Sequence, residues 1–326
     1  MNTDKLLYWS PAFRWEIVEG RLKIEMFQYD GKFAELFPEF YFLTQKGIKN
    51  RDLLDALESK NVPGVHNFVK DLFKRQILIT DPLEIQQLVF IQNHLFDNQY
   101  GDEIKYDANA LANFKEVQLN RNPVEEAKIL DEIEIPDQFY PAEIENRKSV
   151  RNFDKGRLVN KENFFKIISV LRQKKGEEKH YYYASAGGLY PIDIYVFVKE
   201  NRIEDVSGGF YYYSPRLNRL QKISKGREID AESQYFLNKD IFDGSAFSIY
   251  FVYDASVSMP KYGGMAYIYS CIDTGIMVSL LTFISEMVGI GSCSIGEMNY
   301  KKIKSCFPLS PTMSFLHSME FGIEKL

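Results

Sequence analysis

The chain has 326 residues, 45% apolar, 26% charged and 15% aromatic, a composition that excludes disordered, collagen-like and mucin-like polypeptides. At roughly 150 residues per domain it holds about two domains, with enough chain to bury a core without disulfides or metals. A net charge of −5 without an arginine-rich arm speaks against nucleic-acid binding; Cys271, Cys293 and Cys306 show neither pairing nor metal-ligand spacing and follow no secretory signal, so a reducing cytoplasm and no metal are expected.

Residues 1–82 read as a unit of their own. Phe13, Trp15 and Ile17 alternate with charged residues, as do Leu22, Ile24 and Met26, and Glu19-Gly20 breaks the run, so a two-stranded hairpin with one apolar face is predicted. Helical patterns follow at Arg51–Leu57 and at Val65, Phe68, Val69, Leu72 and Phe73. Ile77–Ile79 then suggests a closing strand before Asp81-Pro82, and the whole is winged-helix-like. Residues 83–143 read as a polar, acidic connector, helical over 83–96 and punctuated by Pro123, Pro136 and Pro141.

Helices and strands alternate over 144–326. Phe164–Leu171 reads as a helix and Tyr195–Val198 as a strand; Phe210–Tyr213 and Asn218–Ile223 form a hairpin. Ser248–Tyr253 is a buried strand, Tyr267–Val288 a long helix and Ser314–Phe321 a last strand, which together predict an α+β sandwich on one central sheet. The stretch Ile272–Ile290 approaches the length of a membrane span. Its Asp273 and Glu286 and its Ser, Thr and Gly content suit a helix buried in protein or at a subunit interface, so no membrane role is expected.

Four short segments carry chemistry. Arg147, Ser149 and Arg151 flank one hydroxyl with two guanidiniums, which suits a phosphate monoester and equally describes a solvated basic turn. Ser185-Ala186-Gly187-Gly188 leads into a strand, and its small residues let backbone approach a flat ligand or simply turn the chain. Gly289–Glu297, containing Ile295, Gly296 and Glu297, is a second small-residue segment, after the long helix, and also fits a helix cap followed by a strand. Lys261-Tyr262 precedes Gly263-Gly264. Adjacent residues do not face each other on a helix, so the pair is expected in a loop, where an ammonium beside a phenol favours the phenolate and makes a candidate base. The bland alternative is a surface lysine next to a packing tyrosine.

Arg-x-Ser-x-Arg, then Ser-x-Gly-Gly-Leu-Tyr-Pro, then a hairpin, then Lys-Tyr-Gly before a long helix, then Gly-x-Gly-Ser-Cys: in this order the motifs resemble the SagB-type (ThcOx-type) dehydrogenases of the nitroreductase superfamily over Ile144–Leu326. The resemblance implies a nitroreductase-like α+β sandwich with a mostly antiparallel central sheet and FMN sites at a homodimer interface. By motif, Arg147, Ser149 and Arg151 would bind the FMN phosphate and ribityl chain. Ser185, Ala186 and Gly187 would meet the isoalloxazine across the dimer, and Ile295, Gly296 and Glu297 would lie near flavin N5, although Glu297-Met298-Asn299 departs from the commoner family pattern.

Many such dehydrogenases oxidise thiazoline or oxazoline rings to thiazoles or oxazoles in ribosomally made peptides, with hydride passing to FMN N5 and oxygen reoxidising the flavin. Lys261 and Tyr262 match the pair that handles the Cα proton, Tyr262 as base and Lys261 tuning it, or the reverse. The N-terminal unit resembles leader-peptide recognition elements that add a strand to a sheet edge; a DNA-binding winged helix competes, against which stand Asp52, Asp55 and Glu58. A precursor peptide with its leader and a cyclodehydratase are the implied partners. Relatives run the opposite chemistry, reducing dehydroalanine or dehydrobutyrine with FMN and NAD(P)H beside a lanthipeptide synthetase. A non-catalytic docking scaffold is a third reading, and it would leave the basic motif and the Lys-Tyr pair without a task.

Overall fold

A computed structural model describes residues 6–11, 13–75, 77–80, 103–121, 123, 128–176, 180–296, 298–310 and 312–325. The helix expected over 83–96, the Asp81-Pro82 break and Glu297 lie outside these residues. The chain divides into two units, Met1–Glu134 and Ile135–Leu326.

The first unit runs β1 (Leu6–Trp9), β2 (Trp15–Val18), β3 (Arg21–Ile24), β4 (Phe27–Tyr29), α1 (Gly31–Thr44), β5 (Ile48–Lys49), α2 (Asn50–Glu58), α3 (Val65–Lys74), β6 (Leu78–Ile79) and α4 (Ala108–Leu119), with a single helical turn at Glu103–Tyr106. β1 pairs antiparallel with β5 and β6, and β2-β3-β4 form a second antiparallel sheet. Glu19 and Gly20 both take positive φ, 50° and 72°, as a two-residue hairpin turn of matching twist requires. The expected hairpin is thus part of a three-stranded sheet, and its apolar face is only partly covered. Leu22 and Ile24 are fully buried, whereas Ile17 is 45% exposed and Met26, in the Glu25–Met26 turn, is 85% exposed. Phe33, Phe37 and Phe40 of α1 join Leu53, Phe68 and Leu72 in the core. Asp107 caps α4, which buries none of its residues, and residues 131–140 are irregular and exposed.

The second unit contains α5 (Lys161–Ser169), β7 (Ile192–Val198), β8 (Gly209–Ser214), β9 (Arg219–Ser224), α6 (Asn238–Gly244), β10 (Phe247–Asp254), α7 (Ala255–Tyr262), α8 (Met265–Met287), β11 (Gly291–Ile295) and β12 (Met313–Gly322). Its six strands form one antiparallel sheet in the order β11-β12-β10-β7-β8-β9. This is an α+β fold on a large antiparallel sheet. β7 and β10 are buried almost throughout, which explains why they read as continuous apolar runs. Tyr195, Phe210 and Tyr250 of three neighbouring strands pack with Phe307 from the loop before β12.

The helix α8 is long and apolar enough to cross a membrane by length and composition alone. Here it lies along the sheet, against β7, β11 and β12. Ala266, Ser270, Asp273, Met277, Leu281 and Ser285 form its buried stripe, at helical spacing.

Candidate functional site

Two groups of residues gather in the second unit, one at each half of α8. The first is built on α7. Asp254 caps this helix, its carboxylate accepting from Ser256 N–H at 2.9 Å, and the helix runs through Pro260 to Tyr262, where Gly263 at φ 55° ends it. Lys261 and Tyr262 therefore stand on the last helical turn, not in a loop. The long lysine side chain overcomes the angular separation: its Nζ lies 5.0 Å from the Tyr262 ring centroid. Tyr269 of α8 meets the same ring edge-on at 5.1 Å and 83°.

Gly187 comes against this pair. A Cβ at 187 would run into Tyr262 Oη and lie 2.7 Å from Lys261 Nζ, so both side-chain tips would have to shift, and φ there is 63°, a conformation that favours glycine. Two segments more than seventy residues apart in sequence thus converge. The loop below Gly187 is tied to α8. Ser185 Oγ donates to Asp273 Oδ2 at 2.6 Å, and Ala186 N–H donates to both Asp273 oxygens at 3.1 and 3.2 Å. Ser185 Oγ also accepts from Tyr190 N–H at 3.0 Å. The hydroxyl proton and one lone pair of Ser185 are therefore engaged within the chain, and the residue braces the loop. Asp273 was legible only as an acid in an apolar helix; its place in the buried stripe was the available signal.

The second group lies at the β11 edge. Val150 N–H donates to Ser292 O at 2.9 Å and lays the Arg147–Arg151 segment beside this strand. Arg147 and Ser149 line a cavity of about 450 Å³ with Thr282 and Phe283 of α8 and Ser292 and Ser294 of β11. Ser294 Oγ lies 3.0 Å from His317 Nε2, and burial pushes the His317 imidazole below its ordinary range, which favours the neutral ring. Arg151 lines a different cavity, of about 590 Å³, with Asp240, Asp243 and Lys325, because Phe153 is buried and bridges Glu324, turning the chain past the end of the sheet. Ile295 ends β11, buried, and Gly296 follows it exposed, with open space where a Cβ would stand.

These residues fit an anionic, polyhydroxylated ligand. Neither Arg147 nor Arg151 makes an ion pair among the described residues, and hydroxyls of Ser149, Ser294 and Thr282 border the cavity beside Arg147. Backbone at Gly188 and Gly296 is open to close approach by a flat group.

On this antiparallel six-stranded sheet with a long helix along it, residues 144–322 match the nitroreductase family. The chain belongs to the nitroreductase family of oxidoreductases. No curated protein matches its sequence. Among solved structures, it is similar to a chain of the E. coli microcin synthetase McbBCD complex with truncated pro-MccB17 bound, with 16% identity and a TM-score of 0.55 over 81% of this chain and 95% of that one. A putative nitroreductase from Ralstonia eutropha aligns with 16% identity and a TM-score of 0.47 over 60% and 89% of the two chains.

Proposed function

We propose that this chain is an FMN-dependent, SagB-type azoline dehydrogenase that oxidises thiazoline or oxazoline rings of a ribosomally synthesised peptide to thiazoles or oxazoles in the cytoplasm. The observation that carries this reading is the convergence of Lys261 and Tyr262 on Gly187 within a nitroreductase fold. Aromatising an azoline removes a proton from Cα and a hydride from the neighbouring ring carbon. FMN, when bound, supplies the hydride acceptor, with dioxygen as the terminal oxidant.

The chain's own groups supply the rest. Tyr262 takes the Cα proton, with Lys261 Nζ held over its ring 5.0 Å from the centroid. Arg147, with Ser149 and Ser294 beside it, would hold the FMN phosphate and ribityl chain, and the backbone at Ile295–Gly296 would face the ring system. Arg151 would contribute charge from the neighbouring cavity.

Asp273 and Thr282 lie nine residues apart on α8, about 14 Å at 1.5 Å per residue, so the loop group and the arginine group of one chain stand well apart. Two copies related by a two-fold would bring one group against the other, and the exposed Ile268, Ile272 and Ile276 on one side of α8 offer the apolar stripe for such a homodimer. In the N-terminal unit, β2 is an edge strand with Glu16, Ile17 and Val18 exposed, a place where an extended leader peptide could add as a strand. The fold likeness to a chain of a microcin synthetase complex with truncated pro-peptide bound supports a peptide substrate and synthetase partners, among which a cyclodehydratase is the one azoline chemistry calls for.

The test uses purified protein, FMN and a synthetic thiazoline peptide in air. Wild type should form thiazole, and Tyr262→Phe should stay yellow and form none. Full turnover by Tyr262→Phe would reject the base, and anaerobic bleaching of the flavin by NAD(P)H would favour the reductase reading instead.

A further inference from the structure

We infer that Asp273 is a positioning residue that sets the Lys261–Tyr262 pair through the Ser185–Gly187 loop; this deepens the azoline-dehydrogenase reading and rests on it for its catalytic meaning. The Asp273 carboxylate is 3% exposed and has no cationic partner among the described residues. A buried carboxylate so placed is costly unless hydrogen bonds hold it. Those it receives come from one loop: Ser185 O–H at 2.6 Å and Ala186 N–H bifurcated at 3.1 and 3.2 Å. Ser185 passes the restraint on by accepting from Tyr190 N–H at 3.0 Å.

The loop needs such a restraint. Gly187 and Gly188 at φ 63° and 66° adopt the left-handed region freely, but Tyr190 at φ 51° holds it only because its surroundings over-determine it, its N–H being donated to Ser185 Oγ. The restrained loop then meets the pair directly, because a Cβ at 187 would displace the tips of both Tyr262 and Lys261. The same helix holds the other side of the phenol. Tyr269 lies one turn before Asp273, at i and i+4 on one face, and packs edge-on against the Tyr262 ring at 5.1 Å. Two side chains of α8 thus grip the ring and the loop that abuts its hydroxyl.

The experiment needs no substrate. In full-length protein carrying 13C-labelled lysine, the Lys261 ε-CH2 signal, assigned by its loss in Lys261→Arg, should be displaced by the ring current of Tyr262, and Tyr262→Leu should abolish that displacement. Asp273→Leu, which removes every acceptor, should move the signal at least half of the way to its position in Tyr262→Leu. The near-isosteric Asp273→Asn keeps one acceptor and should move it part of that distance; it answers the question even if the leucine variant does not fold. If either variant lowers the melting temperature and leaves the Lys261 signal in place, Asp273 is merely structural and the inference falls. On the thiazoline peptide, Asp273→Asn should lower kcat on the order of tenfold with KM unchanged. An active Tyr262→Phe would reject the base assignment and leave the spectroscopic result standing, so the two failures are distinct.

Discussion

Gly291 and Val150 are packed so closely that a Cβ at 291 would lie 2.8 Å from both Val150 Cβ and Cγ1. Glycine at the start of β11 is therefore what lets the arginine-bearing segment lie against the sheet and donate from Val150 N–H to Ser292 O at 2.9 Å. Gly291→Ala should push that segment away, at a cost of about 1–3 kcal/mol from overpacking. It should also weaken FMN retention, because Arg147 and Ser149 move with Val150. Urea unfolding and flavin titration together check this; a variant that loses stability but holds flavin as tightly as wild type would separate Val150 from the ligand site.

The two arginines should differ. Arg147 shares its cavity with Ser149, Ser292 and Ser294, whereas Arg151 lines another with Asp240 and Asp243 nearby. A charge-assisted contact to phosphate contributes about 1.5–3 kcal/mol, so Arg147→Ala should raise the FMN dissociation constant by about ten- to a hundredfold. Arg151→Ala should raise it by less. Equal losses, measured by fluorescence quenching of FMN, would restore the symmetric clamp expected from Arg-x-Ser-x-Arg.

Glu320 on β12 is fully buried, its Oε2 accepting from Ser245 Oγ at 2.5 Å and Ser248 Oγ at 2.8 Å while Oε1 has no partner. Burial pushes its carboxyl up from 4.5 to about 7, against the opposing charge of Lys199, whose ammonium burial pushes down from 10.5 to about 8. The folded state thus holds a proton on Glu320 that the unfolded chain releases near pH 4.5. This contribution is fully present below pH 4.5 and is lost as pH rises through 7; the Lys199 contribution changes only above about pH 8, where stability rises again. Arg202, Asp243 and Lys155 also act on Lys199, and Cys293 and Tyr250 lie in the field of Glu320. Relative to Glu320→Gln, wild type should therefore lose stability on the order of 3 kcal/mol between pH 4.5 and pH 7.5. Parallel denaturation curves at the two pH values would contradict the buried carboxylic acid.

What the sequence made legible follows from range. β10, read as Ser248–Tyr253 and found as Phe247–Asp254, is a run buried on both faces, and α3 shows its buried stripe at i, i+3, i+4 and i+7. α1 carries a weak helical signal in the sequence: Pro38 stands inside it, where proline is disfavoured, and exposed Phe42 blurs the contrast between its faces. The placement of Lys261-Tyr262 failed for a local reason, since α7 continues past Pro260 and a flexible lysine can reach over its neighbour's ring. The role of Asp273 depends on bonds to Ser185 and Ala186, 88 and 87 residues away, which no local pattern encodes.

The N-terminal unit can be followed by itself because both tryptophans of the chain, Trp9 and Trp15, belong to its core. Phe37 of α1 is fully buried and touches each of them, its ring centroid 5.4 Å from Trp9 and 4.9 Å from Trp15, and packs on Phe40 at 5.5 Å. Phe37→Ala removes a ring from this cluster and leaves a cavity that the short strands around it cannot close, so the unit should lose about 3–5 kcal/mol. Tryptophan emission should then report a transition at markedly lower urea. Flavin absorbance, read from the second unit, should keep its midpoint if the two units unfold separately. A common shift of both signals would show that they unfold as one, and an unshifted tryptophan transition would mean that Phe37 does not anchor the core.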